Sequence, residues 1–103
     1  DWNLRFLSSD NAQIICYVKH VEGDAVVVTV NLDPHYAQAG HVFLDLELLG
    51  IGYDATYQAH DLLGGGRYLW TGPRAYVALE PGSAHVFVLG HHVRTEQDFE
   101  YFD

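Results

Sequence analysis

Apolar and polar residues alternate most regularly in "HVFLDLELL", residues 41–49. Val42, Leu44, Leu46 and Leu48 fall on one side, and His41, Phe43, Asp45 and Glu47 on the other. A period of two is the mark of a strand with one buried face, so a half-buried strand is expected here. "DAVVVTVNL", residues 24–32, repeats the pattern with Val26, Val28, Val30 and Leu32 opposite Ala25, Val27, Thr29 and Asn31. Its density of β-branched residues disfavours a helix. Further strands are expected in "QIICYVKHV", "TYQAHDLL", "RYLWT", "AYVAL" and "AHVFVL".

Turn signals separate these segments: Glu22-Gly23-Asp24, Asp33-Pro34, Gly50 and Gly52, Gly64-Gly65-Gly66, Gly72-Pro73 and Pro81-Gly82. Glycine supplies left-handed backbone and proline a preset φ, which is what tight connections need. Short strands at this spacing predict an all-β antiparallel sandwich or barrel of about seven to eight strands with hairpins. The segment "PHYAQAG" offers one helical turn at most. Expected core positions are Ile15, Val26, Val28, Val30, Val42, Leu44, Leu46, Val77, Leu79, Val86 and Val88. The sandwich is expected over residues 1–93. The last ten residues, "RTEQDFEYFD" (94–103), are acidic and aromatic and read as a separate tail.

A length of 103 residues suits one core, and 49% hydrophobic residues are enough to fill it. No apolar run of membrane-spanning length occurs, so no membrane partner is expected. Five basic residues against fourteen acidic ones give a formal charge of −9, the wrong sign for holding phosphate backbones, which argues against a nucleic-acid partner. Cys16 is the single cysteine and sits in the apolar run "AQIICYV", as a buried small hydrophobe would. This usage fits a reducing, cytoplasmic setting. The chain opens on Asp1 with no secretory leader pattern, as expected for a piece of a longer protein.

Candidate chemistry is sparse. Asp45 and Glu47 stand at i and i+2, on the polar side of an expected strand, where a solvated pair is the simpler reading. Seven histidines show neither the i, i+4 helical spacing of a zinc protease nor an accompanying Cys-x-x-Cys, so no metal and no cofactor is expected. The triplet in "LLGGGRYLW" lacks the Lys-Ser/Thr of a phosphate loop and reads as a hairpin connection. A small enzyme built on His60, Asp61 and His85 would rest on residue types alone. Aromatic residues are the remaining resource. Tyr68 and Trp70 share a face of "RYLWT" and could stack on a sugar ring, joined by Tyr36 and Tyr53 on loops. The same spacing also describes a core stripe.

Several separated blocks carry a resemblance: Asn31-Leu32-Asp33-Pro34-His35, His60-Asp61-Leu62-Leu63, Tyr68-Leu69-Trp70 with Gly72, Tyr76-Val77, and Ala84-His85-Val86-Phe87. In this order they are similar to the C-terminal domain of α-amylase-family enzymes. They are most like bacterial maltosyltransferases that use maltose 1-phosphate and an α-glucan, and then trehalose synthases. The resemblance covers nearly the whole chain. It implies a Greek-key β-sandwich that follows a (β/α)8 catalytic barrel holding the nucleophilic Asp and the acid/base Glu, so no catalytic residue is expected in this segment. It departs from the family's pattern at Ala75, where an Asn is usual, and at Ala78 and Val88, where an Arg is frequent. The role implied is a non-catalytic accessory domain that stabilises the barrel, with binding of α-glucan through exposed aromatics as the alternative. The tail also resembles endings in some members, and Phe99, Tyr101 and Phe102 are its expected contacts with the catalytic domain.

Overall fold

The computed structural model describes residues 4–21 and 24–92. Eight strands and one helical turn follow in order: β1 (Leu4–Ser9), β2 (Ile14–Val21), β3 (Asp24–Asn31), β4 (Gln38–Phe43), α1 (Leu46–Leu49), β5 (Thr56–Asp61), β6 (Arg67–Thr71), β7 (Arg74–Leu79) and β8 (Ala84–His92). Every pairing is antiparallel, in the order β6-β5-β8-β3-β2-β1-β4-β7. The run β4-β1-β2-β3 is the spatial order of a Greek key.

β1 is the corner on which the sheet folds over. Leu4 to Leu7 pair with β2, whereas Ser8 and Ser9 pair with Phe43 and Val42 of β4. Asp10 fixes this crossing: its Oδ1 accepts the His41 N–H at 2.7 Å and its Oδ2 lies 3.1 Å from His41 Nδ1. One layer is thus β6-β5-β8-β3-β2 with the first half of β1, and the other is the rest of β1 with β4 and β7.

Between the layers lies the core. Val42, Leu44, Leu46, Val77 and Leu79 are buried, as their alternation predicts. On the larger layer the expected face is the wrong one. Ile14, Cys16, Val18, Ala25, Val27, Phe87 and Leu89 point inward, while Ile15, Val26, Val28, Val30, Val86 and Val88 are half-buried on the outer side. Both alternating sets of β2, β3 and β8 are apolar, so periodicity alone could not choose between them. Each fully buried Val, Leu or Phe side chain contributes about 1.5–3 kcal/mol relative to exposure, so the inner set dominates stability. Burial also pushes the Cys16 thiol up to about 12.

A second correction concerns residues 41–49. The strand stops at Phe43, and Leu46–Leu49 form one helical turn. Asp45 caps it by accepting the Leu48 N–H, and Gly50 closes it in the left-handed region at φ 71°. Asp45 and Glu47 are therefore not neighbours on a strand face. The segment "PHYAQAG" instead bends and enters β4.

One end of the sandwich is tied by Asn31, which is 2% exposed. Its amide donates to the carbonyls of Tyr36, Leu79 and Glu80, and its Oδ1 accepts the Asp33 N–H. Asp33 in turn accepts the backbone amides of His35 and Tyr36 and the Gln38 side chain. A buried amide left without partners costs about 1–3 kcal/mol, so this network fixes where the β3–β4 and β7–β8 connections run.

The two faces of β2 can be told apart with one pair of adjacent residues. Ile14→Ala should cost about 2–5 kcal/mol in urea denaturation, and Ile15→Ala clearly less. Equal or reversed costs would return Ile15 to the core.

Candidate functional site

The order of strands leaves β6 and β7 at opposite ends of the sheet although they are consecutive in the chain. Gly72, at φ 76°, carries the backbone from one layer to the other. Between these two edges opens a cleft of about 250 Å³, lined by Tyr68, Trp70, Tyr76, Val77, Ala78, His85 and Phe87.

Its floor is aromatic. Trp70 is only 8% exposed, with its ring centroid 4.9 Å from Phe87 and 6.2 Å from Tyr57, both edge-to-face. Tyr57 is fully buried and its hydroxyl donates to the Gly72 carbonyl at 2.8 Å, which anchors the crossover. Desolvation pushes that hydroxyl up to about 12. Tyr68 and Tyr76 stand at the rim, 46% and 60% exposed.

The polar element is a histidine held by a buried carboxylate. His85 stacks on Phe87, and its Nδ1 lies 2.6 Å from Asp61 Oδ2. Asp61 is 1% exposed. Burial opposes its ionisation, but the backbone amides of Leu63 and Gly64 and the His85 ring outweigh this and hold the carboxyl below its usual value. With Nδ1 donating to the carboxylate, Nε2 is the ring nitrogen left to meet a ligand. The glycine triplet makes the arrangement fit, as a hairpin turn between β5 and β6. A Cβ at Gly64 would stand 2.8 Å from Asp61 Oδ2, and one at Gly66 would stand 2.8 Å from the Tyr68 hydroxyl.

Of the residues singled out for sugar contact, the fold brings Tyr68 and Trp70 to this cleft. Trp70 serves mainly as its packed floor. Tyr36 and Tyr53 do not line it; they lie on separate connections, 71% and 73% exposed. Phe99, Tyr101 and Phe102 fall outside the described residues. Asp61 and His85 meet, whereas His60 pairs with Arg67 and Val88 on the outer side of β5. Tyr76 was not singled out in the sequence as a site residue; Asp61 and His85 were grouped with His60 on residue types alone, and of the three only these two meet. Ala78, the departure from the Arg frequent in the family at this place, lines the cleft, so the wall carries no guanidinium there.

The lining holds no carboxylate, and Asp61 behind it is engaged by His85 and by the backbone amides of Leu63 and Gly64. Among the described residues no three of His, Cys, Asp or Glu group as metal ligands, and no helix is long and apolar enough to cross a membrane.

The family model described as "GLGE, C-terminal" matches residues 6–89. The chain belongs to this family. It is 46% identical over 94 residues to alpha-1,4-glucan:maltose-1-phosphate maltosyltransferase 2 of Streptomyces coelicolor, covering 89% of this chain and 13% of that protein. With the maltosyltransferase of Myxococcus xanthus the identity is 39% over 103 residues, 97% of this chain and 16% of the relative. The chain therefore spans only a small part of the curated relatives' length. The fold recurs in solved structures. One is an AmyP variant in complex with maltotriose, with a TM-score of 0.58 and 16% identity over 84% of this chain and 17% of that one. Another is a GH27 β-L-arabinopyranosidase from Geobacillus stearothermophilus, with a TM-score of 0.61 and 18% identity over 88% and 21%.

Asp61 gives a pH test. Because its folded value is lowered, its contribution is complete above the unfolded value of 3.8 and is lost as pH falls through the folded one. Asp61→Asn should cost about 1–3 kcal/mol at neutral pH and reduce the loss of stability on acidification, as read by denaturation at pH 7 and pH 3. An unchanged acid dependence would remove Asp61 from this role.

Proposed function

We propose that this chain is the non-catalytic C-terminal accessory domain of an α-glucan-processing enzyme of the maltosyltransferase kind. On this reading it stabilises a (β/α)8 catalytic barrel carried elsewhere in the parent chain. The observation that carries it is the family match over residues 6–89, set against relatives of which this chain covers only 13% and 16%. The work belongs to carbohydrate metabolism in the cytoplasm, a setting that a single buried thiol fits. The aromatic tail, through Phe99, Tyr101 and Phe102, is a further contact with the barrel on the same reading.

A second reading has its own observation. Two exposed tyrosines flank an aromatic floor beside His85, a combination that suits one glucosyl ring of an α-glucan. Here Tyr68 and Tyr76 would hold the ring and Trp70 would support the floor.

Phosphate release separates the accessory role from an active one. With maltose 1-phosphate and an α-1,4-glucan, the 103-residue chain should release none, and the parent enzyme should release it. Deleting the domain from the parent should lower the thermal midpoint of what remains. Release by the domain alone, or an unchanged midpoint, would contradict the proposal. For the second reading, a titration with maltoheptaose should move the Trp70 indole N–H signal saturably, and Tyr68→Ala should abolish the shift. A flat titration would reject glucan binding at the cleft.

A further inference from the structure

A second hollow adjoins the cleft along β7. It has a volume of about 280 Å³ and is lined by Gln38 and Ala39 of β4, by Ala78 and Leu79 of β7, and by Glu80 just beyond. Ala78 lines both hollows. The strand register accounts for the opening. Ala39 lies opposite Ala78, so two exposed, methyl-sized side chains stand side by side on the outer side of β4 and β7. The next row sets His41 opposite Tyr76, with their rings edge-to-face at 5.4 Å. The two alanines make a low saddle beside this aromatic wall. At about 250 and about 280 Å³, each hollow alone falls short of the roughly 300–1,000 Å³ of a small-molecule site, and the two joined fall within it.

The second hollow is polar where the cleft is aromatic, and its wall is already set. Gln38 is held at both ends: its Oε1 accepts the Asn11 Nδ2 proton and its Nε2 donates to Asp33 Oδ2, each at 2.9 Å. A primary amide has two acceptor lone pairs and two protons, so one of each is left for a hydroxyl. A side chain fixed in this way has little rotamer freedom to lose on binding. Glu80 is exposed and adds a carboxylate acceptor. No lysine or arginine lines either hollow, and the chain carries a formal charge of −9, which disfavours an anionic ligand. A neutral chain of hydroxylated rings matches both ends, with its C–H faces on the aromatic rings and its hydroxyls on the amide and carboxylate. We infer that the two hollows are one groove, which takes consecutive glucosyl units of a linear α-glucan across Ala78, from Tyr68, Trp70 and Tyr76 to Gln38 and Glu80. The inference rests on the second reading above, which puts one ring in the cleft, and it adds the path of the chain and the residue that leaves this path open.

Amide NMR titrations of the 103-residue chain test this with two probes. Methyl α-glucoside, a single ring, should move the Trp70 indole N–H and leave the backbone amides of Ala39 and Glu80 in place. Maltoheptaose should move all three signals with one common midpoint. Ala78→Arg sets a long side chain on the saddle at an exposed position. It should weaken maltoheptaose about tenfold or more and silence Ala39 and Glu80, while Trp70 still responds to methyl α-glucoside. Ala39→Gln obstructs the saddle from the opposite strand and should act in the same way, so the test does not depend on one variant folding. Maltoheptaose shifts confined to Trp70, or an affinity that neither variant changes, would overturn the groove and leave the cleft reading standing. Shifts at Ala39 and Glu80 without Trp70 would put the sugar in the second hollow alone and also overturn it. No shift at any of the three would overturn the groove and the cleft reading together.

Discussion

Water must be kept from both sides of β2, β3 and β8, and most of this structure follows from that constraint. These three strands carry two largely apolar sets, interrupted by Thr29, Asn31 and His85 on one side and Lys19 on the other, and only one can face the second layer. The set containing Cys16, Val18, Val27, Phe87 and Leu89 is the one covered, and β4, α1 and β7 supply the cover through Val42, Leu44, Leu46, Val77 and Leu79. The other set, with Val26, Val28 and Val86, has no cover among the described elements. The relatives that the chain matches are much longer than it is.

Buried polar groups decide how the layers close. Asn31 and Asp33 tie the β3–β4 connection to the β7–β8 turn, and Asp61 ties the β5–β6 turn to His85. Asn31 and Asp61 are buried and meet backbone or side-chain partners, and the half-buried Asp33 extends the Asn31 network. Three of the short sequence blocks that resemble the family hold these ties, through Asn31 and Asp33, Asp61, and His85. The cleft is a consequence of the same closure: the chain crosses at Gly72, β6 and β7 do not pair, and the gap between them is lined by the aromatic rings nearest the crossing.

Much of the fold was legible in the sequence because strand segments and turn residues alternate cleanly. Seven of the eight strands lie on segments chosen by pattern. β1 was passed over as a strand because "LRFLSS" is brief and mixes its apolar positions, Leu4 and Phe6 on one side and Leu7 on the other. Residues 41–49 kept the right inward side chains but the wrong backbone, because Asp45 can cap a helix and Gly50 can end one. On β3 the bulkier Val26, Val28 and Val30 stand opposite Ala25, Val27, Thr29 and Asn31. Tertiary burial went the other way. At the cleft, Tyr68 and Trp70 were readable from i, i+2 spacing. The Asp61–His85 contact spans 24 residues and Tyr76 comes from the opposite layer, and local periodicity carries no trace of either.

The central claim is that one sheet carries a covered and an uncovered apolar face, and valine methyl groups report on it most directly. In a methyl NMR spectrum of the chain with a soluble paramagnetic chelate, Val26, Val28, Val30, Val86 and Val88 should broaden strongly. Val18, Val27, Val42 and Val77 should be protected. If the two sets behave alike, or the order is reversed, the assignment of faces fails.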